Sequence, residues 1–430
     1  MNMAKPEPGA DGAGHVAPPA RDKGFWALNW LRFLLAMYLV LFHTLRFNYA
    51  PVADNWLAAS LGLGNMATSV FFVLSGFLLT HAYVVKKNGR DINKRNFLIA
   101  RFSTLYPLHL ACLVLAIVAV GGKLFAYGGI PVYVDNSATA TRFLEQWEVG
   151  VALLMSITLT NAWNPLYLVF NGPSWSLSAL GFYYLLFPAV ALRIYRMKSL
   201  KTALVVLAVL FLLPGLVADL MHRSDALTTG LLHRNPIVRL PLFIAGIVLC
   251  VMFTRKTPGS SPAQTFMLGS LVVATTVLAT VLRYHDSRLH IIENGLYLPA
   301  SVAIIWLCAD MKPTLHDKVR YWGDRLGAVS LPVFLLHLPL FSVFRKIEQV
   351  ILVWPSSNGS LSTALATASH VKQSLFFYPV YLILLVTACV LVQEHFVTRV
   401  QKAIRNRFSD RSDAKAQAAT ATREPTTGTY

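Results

Sequence analysis

Read for its hydrophobic and polar positions, the chain is a succession of long apolar stretches broken by short basic links. Stretches of about 18 or more residues recur along it, and in lipid only a helix satisfies its own backbone over such a length. Hydropathy gives eleven candidate spans. Lys86, Lys87, Arg90, Lys94 and Arg95 follow the second and place that link in the cytoplasm. The cluster Arg193-Ile194-Tyr195-Arg196-Met197-Lys198, followed by Lys201, needs the same side. If all three candidates between the two links crossed, the second cluster would lie outside. The shortest, about Val149 to Trp163, is rich in Ser and Thr and falls below span length, so it reads as a re-entrant or interfacial segment in a long outer loop. Arg255-Lys256, the Lys312 to Arg325 link and the Arg399 to Arg407 stretch then all fall inside. The expectation is an all-α, polytopic helical membrane protein with about ten transmembrane helices and both termini cytoplasmic. An eleven-span arrangement with an outer C-terminus is the alternative. Residues 1–23, rich in Ala, Gly and Pro, and 409–430, rich in Ala, Ser, Thr and Asp, read as disordered cytoplasmic tails around an integral-membrane domain of residues 24–408. The first apolar run lacks a small-residue cleavage pattern and reads as an uncleaved helix.

That first run, Asn29-Trp30-Leu31-Arg32-Phe33-Leu34-Leu35-Ala36-Met37-Tyr38-Leu39-Val40-Leu41-Phe42-His43, holds a cation and an imidazole inside an otherwise apolar helix. At ~100° per residue, Arg32 and His43 return to within roughly 20° of one azimuth, about 16 Å apart along the axis. Ionisable groups at membrane depth face a polar cavity or a partner. The stripe therefore predicts a helix lining a hydrophilic tunnel, with Arg32 in its inner half and His43 near the outer surface.

Composition fixes the class more than the chemistry. Of 430 residues 55% are apolar and 13% charged, about half the charged share of soluble domains. The net charge of +18 would suggest nucleic acid in a soluble chain, but here the basic residues lie between spans, where topology accounts for them. The four cysteines, Cys112, Cys250, Cys308 and Cys389, each stand alone in an apolar segment and read as structural thiols. The twelve histidines are dispersed and no metal site is expected. No Gly-rich phosphate loop, His-Glu-x-x-His helix or Gly-x-Ser-x-Gly elbow is present.

Other polar positions each carry a bland and a functional reading. Ser75-Gly76 in Phe71-Phe72-Val73-Leu74-Ser75-Gly76-Phe77 marks close helix packing or a ligand's approach. Arg101, before Leu105-Tyr106-Pro107, is a snorkelling anchor when taken alone, or an anion ligand at the inner mouth. Trp175-Ser176-Leu177-Ser178 opens a span, where a tryptophan marks the interfacial belt or a surface for a sugar ring. Arg239 lies near the outer end of a helix, and His337 lies mid-helix, where an imidazole often makes an interhelical hydrogen bond.

Arg32-x10-His43, the Phe71 to Phe77 run, Arg101 before Leu105-Tyr106-Pro107, and Trp175-Ser176-Leu177-Ser178, in that order, resemble the membrane acyltransferase-3 family over about Phe25 to Arg405. Ser330 to His337, and Arg239 before Phe243-x-x-Gly246, fit the same pattern. The resemblance is to the stand-alone form, without an extracellular esterase-like domain. It implies O-acyltransfer at the bacterial inner membrane from cytoplasmic acyl-CoA, acetyl-CoA being the commonest donor, to a sugar hydroxyl of an exopolysaccharide, lipopolysaccharide or similar glycan. Polysaccharide synthesis or export proteins are the expected partners, besides membrane lipid, and no nucleic acid is expected.

On that reading Arg32, Arg101, Lys94 and Arg95 bind the donor's phosphates. His43 is the general base, or a covalent acyl carrier. Ser75, Ser176 or Arg239 donates to the oxyanion, and Ser75 is a weaker candidate as acyl carrier. Trp175, Arg239 and His337 bind the acceptor. Two positions depart from the family: Leu180 and Leu242 stand where many members have acidic residues. Asp54, Glu293 and Glu394 are replacements by position only. A proton-coupled transporter or flippase, and an inactive scaffold of a polysaccharide-export complex, are the rival classes. A transporter should show an internal pseudo-repeat, and none is evident.

Overall fold

The computed structural model describes residues 25–49, 52, 55–133, 141–256, 259–285, 289–312, 316–357, 359–368, 371 and 373–408. The tails expected at 1–23 and 409–430 lie outside the described residues, as does Asp54. Among the described residues ten helical segments are long and apolar enough to cross a bilayer. In chain order these spans are Trp26–Leu45, Trp56–Val85, Lys94–Gly122, Gly172–Arg196, Leu200–Leu220, Ala226–Arg255, Pro262–Tyr284, Ile292–Asp310, Asp317–Ser356 and Leu375–Phe408. An even number of crossings returns the chain to its starting side, which the basic links assign to the cytoplasm.

The doubtful eleventh stretch does not cross. Its helix, Gln146–Ile157, has 12 residues, ~18 Å of rise against ~30 Å of hydrocarbon. It lies in the outer loop beside a two-stranded antiparallel ribbon, β1 (Pro131–Tyr133) and β2 (Thr141–Phe143), with Val132 opposite Arg142. Arg142 donates two hydrogen bonds to the Glu148 carboxylate, at 2.6 and 2.7 Å, and the Glu145 backbone N–H donates a third at 2.9 Å. These donors, the Arg142 guanidinium first, hold the Glu148 carboxyl down to about 2. From the third span, Tyr106 Oη donates to the Ile157 carbonyl at 2.9 Å, and His109 Nε2 bonds the Ser156 carbonyl at 2.8 Å.

The second and sixth spans are the most buried, because two glycines let their backbones touch. A Cβ on Gly76 would lie 2.1 Å from the Phe243 carbonyl oxygen, and one on Gly246 only 2.0 Å from that of Val73. The Ser75-Gly76 patch thus divides: Gly76 packs against the sixth span, while Ser75 faces a cavity. The first span lies along the ninth, where Asn29 Nδ2 donates to Asp324 Oδ1 at 2.7 Å and Trp30 Nε1 to the Val319 carbonyl at 3.0 Å. All four cysteines are free, and only Cys308 is not fully buried.

Four spans contain a π-turn, at Leu41–Leu45, His81–Val85, Ile292–Leu296 and Gln393–Val397. A π-turn re-aims the side chains around it and is common at functional sites. These four carry His43, His81, Glu293 and Gln393. The first modifies the expected stripe, since the even 100° step between Arg32 and His43 ends at Val40.

Candidate active site

A cavity of about 540 Å³ lies among the first, second, third, fourth, ninth and tenth spans. Arg32, Arg101 and Lys86 line it together with His81, Ser75, Ser176, Leu180 and Tyr184. Lys86 belongs to the basic link on the cytoplasmic side, so this is the inner mouth. Among the described residues, none of those lining it is a carboxylate. Arg32 and Arg101 nevertheless lie within electrostatic reach of each other, an arrangement that is unfavourable unless an anion joins them. Arg101 Nη2 donates to Tyr83 Oη at 2.6 Å, its guanidinium lies 4.9 Å from that ring's centroid, and its Nε is buried without a partner. Arg101 therefore faces the interior instead of snorkelling. Lys94 and Arg95 occupy the exposed first turn of the third span and do not line the cavity.

Phe71 and Phe334 both line the cavity, with ring centroids 6.1 Å apart, as do Thr68 and Ser176 nearer the outer side. Phe334 also packs on His337, at 6.2 Å. His43 does not line the cavity. The cavity that holds Arg32 thus does not reach His43 as the uninterrupted tunnel expected from the sequence would, and His337 lies against the Phe334 ring.

His337 Nε2 and His43 Nδ1 are 3.1 Å apart, and His337 Nδ1 is 3.2 Å from the Val333 carbonyl oxygen. A carbonyl only accepts, so His337 Nδ1 carries a proton. In a neutral ring its Nε2 is then bare and accepts from His43 Nδ1–H. By this chain of donors, neutral His43 keeps its lone pair on Nε2, the arrangement a general base needs. Tyr381 Oη donates to the His337 carbonyl at 2.8 Å, fixing the helix at that point. His337 is fully buried, whereas His43 is half-buried.

The remaining sequence candidates divide. Ser75 Oγ donates to the Phe71 carbonyl at 2.8 Å and Ser176 Oγ to the Pro173 carbonyl at 3.0 Å. Both hydroxyl protons are turned to their own helix. Arg239 is buried, and its Nη2 donates to Ser69 Oγ at 3.0 Å and to the Asn65 carbonyl at 3.4 Å. Trp175 is only 6% exposed, and its ring packs on Phe72 and His233 instead of offering an open face. Leu180 lines the cavity and Leu242 is core. Glu293 accepts from Asn65 Nδ2 at 2.5 Å, pairs with Arg283 at 3.2 Å, and interacts electrostatically with Arg239. The eighth-span carboxylate is thus paired with Arg283 and reaches Arg239 by hydrogen bonds only through Asn65, whose carbonyl accepts from Arg239. Glu394 is instead paired with Arg325 at 2.7 Å, next to the cavity-lining Gln393.

Sequence reasoning missed His81 and Lys86 as cavity residues, and missed His233 altogether. His81 follows the Ser75 motif by less than two turns and is brought inward by a π-turn, which has no sequence signature. His233 lies on the short helix Ala226–Arg234, just before the Asn235-Pro236 helix start.

A multi-pass helical membrane protein with a cationic inner cavity and paired imidazoles behind it is the class that this architecture defines. The chain belongs to the acyltransferase-3 family, whose acyltransferase-domain profile matches residues 25–394. It is 33% identical over 199 residues to "Protein 2 in picA locus" from Rhizobium radiobacter, covering 45% of this chain and 92% of that protein. It is 30% identical over 177 residues to "Acyltransferase MdmB" from Streptomyces mycarofaciens, 40% of each chain. An uncharacterized protein from Haemophilus influenzae is 25% identical over 251 residues, 57% of this chain and 96% of that one. No solved structure matches.

Proposed function

We propose that this acyltransferase moves an acyl group, acetyl in the first instance, from cytoplasmic acyl-CoA to a sugar hydroxyl of an exported or surface glycan, in the bacterial inner membrane. The observation that carries this reading is the cavity that opens at the cytoplasmic link, is lined by Arg32, Arg101 and Lys86, and reaches the Phe334 ring next to His337. Such a donor set suits the phosphates of CoA. The apolar walls beyond suit its thin, mostly uncharged pantetheine arm.

In this mechanism the thioester advances past Phe71 and Phe334 toward His43. His43 Nε2 takes the proton of the acceptor hydroxyl as that oxygen attacks the thioester carbonyl, a contribution of order 10²–10⁴ in rate. His337 holds the tautomer and is a positioning residue. The tetrahedral intermediate collapses with cleavage of the C–S bond, and the CoA thiolate recovers the proton from His43.

Purified protein in detergent tests the proposal. Acyl-CoA should release CoA thiol, faster with a glycoside acceptor, and His43→Ala should slow the release by about 10²–10⁴-fold. Solute counterflow without thiol release would replace this reading by a transporter. Unchanged glycan O-acylation in a deletion strain, read by mass spectrometry, would count against the acceptor class.

A further inference from the structure

Acyl transfer at His43 needs a hydrogen-bond donor for the oxyanion, and the hydroxyl protons of Ser75 and Ser176 are committed to backbone carbonyls. Arg239 Nη2 is likewise tied to Ser69 and Asn65, and its one unpartnered nitrogen, Nε, is buried away from open space. His233 is differently placed. Its ring packs on Trp175 at 4.7 Å between centroids and lies within electrostatic reach of His43. Its Nδ1 is buried and has no hydrogen-bond partner. Its Nε2 has no protein partner among the described residues, and the half-buried ring leaves it as the nitrogen that reaches open space. A buried N–H without an acceptor is rarer than a buried bare acceptor. The ring therefore keeps Nδ1 bare and presents Nε2–H outward.

The helix that carries His233 is fixed at both ends. Asp225 caps it, accepting from the Thr228 N–H at 3.0 Å and the Thr228 hydroxyl at 2.9 Å. A Cβ on Gly230 would lie 1.7 Å from the Pro165 carbonyl oxygen, which also accepts from Arg234 Nη2. A donor held so firmly meets the requirement of preorganisation for electrostatic catalysis.

We infer that His233 is the oxyanion donor of the acyl-transfer site, its Nε2–H hydrogen-bonding the thioester carbonyl oxygen as charge builds there. This rests on His43 being the base. The acceptor oxygen forms its bond to the carbonyl carbon and its proton passes to His43 Nε2. The carbonyl π pair moves onto oxygen, where His233 Nε2–H meets it. Re-formation of C=O then breaks the C–S bond, and the sulfur leaves with the proton from His43.

The test is CoA-thiol release from acetyl-CoA by the full chain in detergent, with and without a panel of methyl hexosides. His233→Phe keeps an aromatic ring against Trp175 but removes the donor, so kcat should fall about 10²–10³-fold with KM for acetyl-CoA within threefold of wild type. His233→Gln restores an N–H and should recover at least tenfold of that loss. Melting temperatures check that both variants fold, and if His233→Phe does not, the comparison of His233→Gln with His233→Leu carries the same contrast. A kcat for His233→Phe within threefold of wild type, a KM effect alone, or a glutamine variant no better than phenylalanine overturns the inference. His43→Ala is run alongside. If it keeps wild-type activity, or wild type releases no thiol, the assignment of the base or of the reaction has failed instead, and the role of His233 falls with it.

Discussion

Replacing His337 by phenylalanine separates orientation of the base from the base itself. In the native pair His43 Nδ1–H has one interhelical acceptor, His337 Nε2 at 3.1 Å, and His337 is fully buried. His337→Phe leaves that N–H facing a ring, with only the Leu39 backbone oxygen of its own helix still drawing it. Losing the cross-helix acceptor costs up to about 1–3 kcal/mol. The penalty falls only on the tautomer that keeps Nε2 basic, so its population, and kcat with it, should drop by roughly ten- to a hundredfold. KM for acyl-CoA should hardly move, because Arg32 and Arg101, the proposed phosphate ligands, line a cavity that His43 does not. His43→Ala should lose more, about 10²–10⁴-fold. His337→Gln supplies a carbonyl oxygen that accepts from Nδ1–H and should recover part of the loss. Stopped-assay kinetics of thiol release on folded variants decide the matter. A His337→Phe enzyme within threefold of wild-type kcat, or one worse than His43→Ala, would refute the donor chain from Val333 to His43.

Three further outcomes follow from the geometry. Arg32→Ala should weaken acyl-CoA binding by about ten- to a hundredfold, as for a lost charge-assisted contact, and by more than His43→Ala does, while Lys94→Ala and Arg95→Ala stay within about twofold; equilibrium binding of a non-hydrolysable acyl-CoA checks the order. Gly246→Ala forces a methyl group to within 2.0 Å of the Val73 carbonyl oxygen and should cost about 1–3 kcal/mol or more, read as a lowered melting temperature in detergent. Glu148 has a carboxyl held below its unfolded value, so its stabilisation is present above about pH 4.3 and is lost as pH falls through its folded value of about 2. Proteolysis of the outer loop should rise over that window in wild type, and Glu148→Gln should cleave faster at neutral pH with a flatter acid dependence.

The sequence by itself determined the ten-span architecture, because span length, basic links and the need to satisfy backbone polar groups in lipid are all one-dimensional constraints. It also determined that the stretch around Val149 to Trp163 stays on one side, and that Arg32 faces inward, since a cation in that helix has few alternatives. Only the tertiary structure decided which small residues pack and which face a ligand: Gly76 meets the Phe243 carbonyl, and Ser75 one residue earlier lines the cavity. It alone paired His43 with His337 across 294 positions and brought His233 beside Trp175. It alone paired Glu293 on the eighth span with Arg283 and linked it through Asn65 to Arg239. The physical reason is that membrane insertion reads the chain locally, residue by residue. Chemistry depends on side chains from distant spans meeting within hydrogen-bond reach, and on π-turns that shift their aim without leaving a periodic trace.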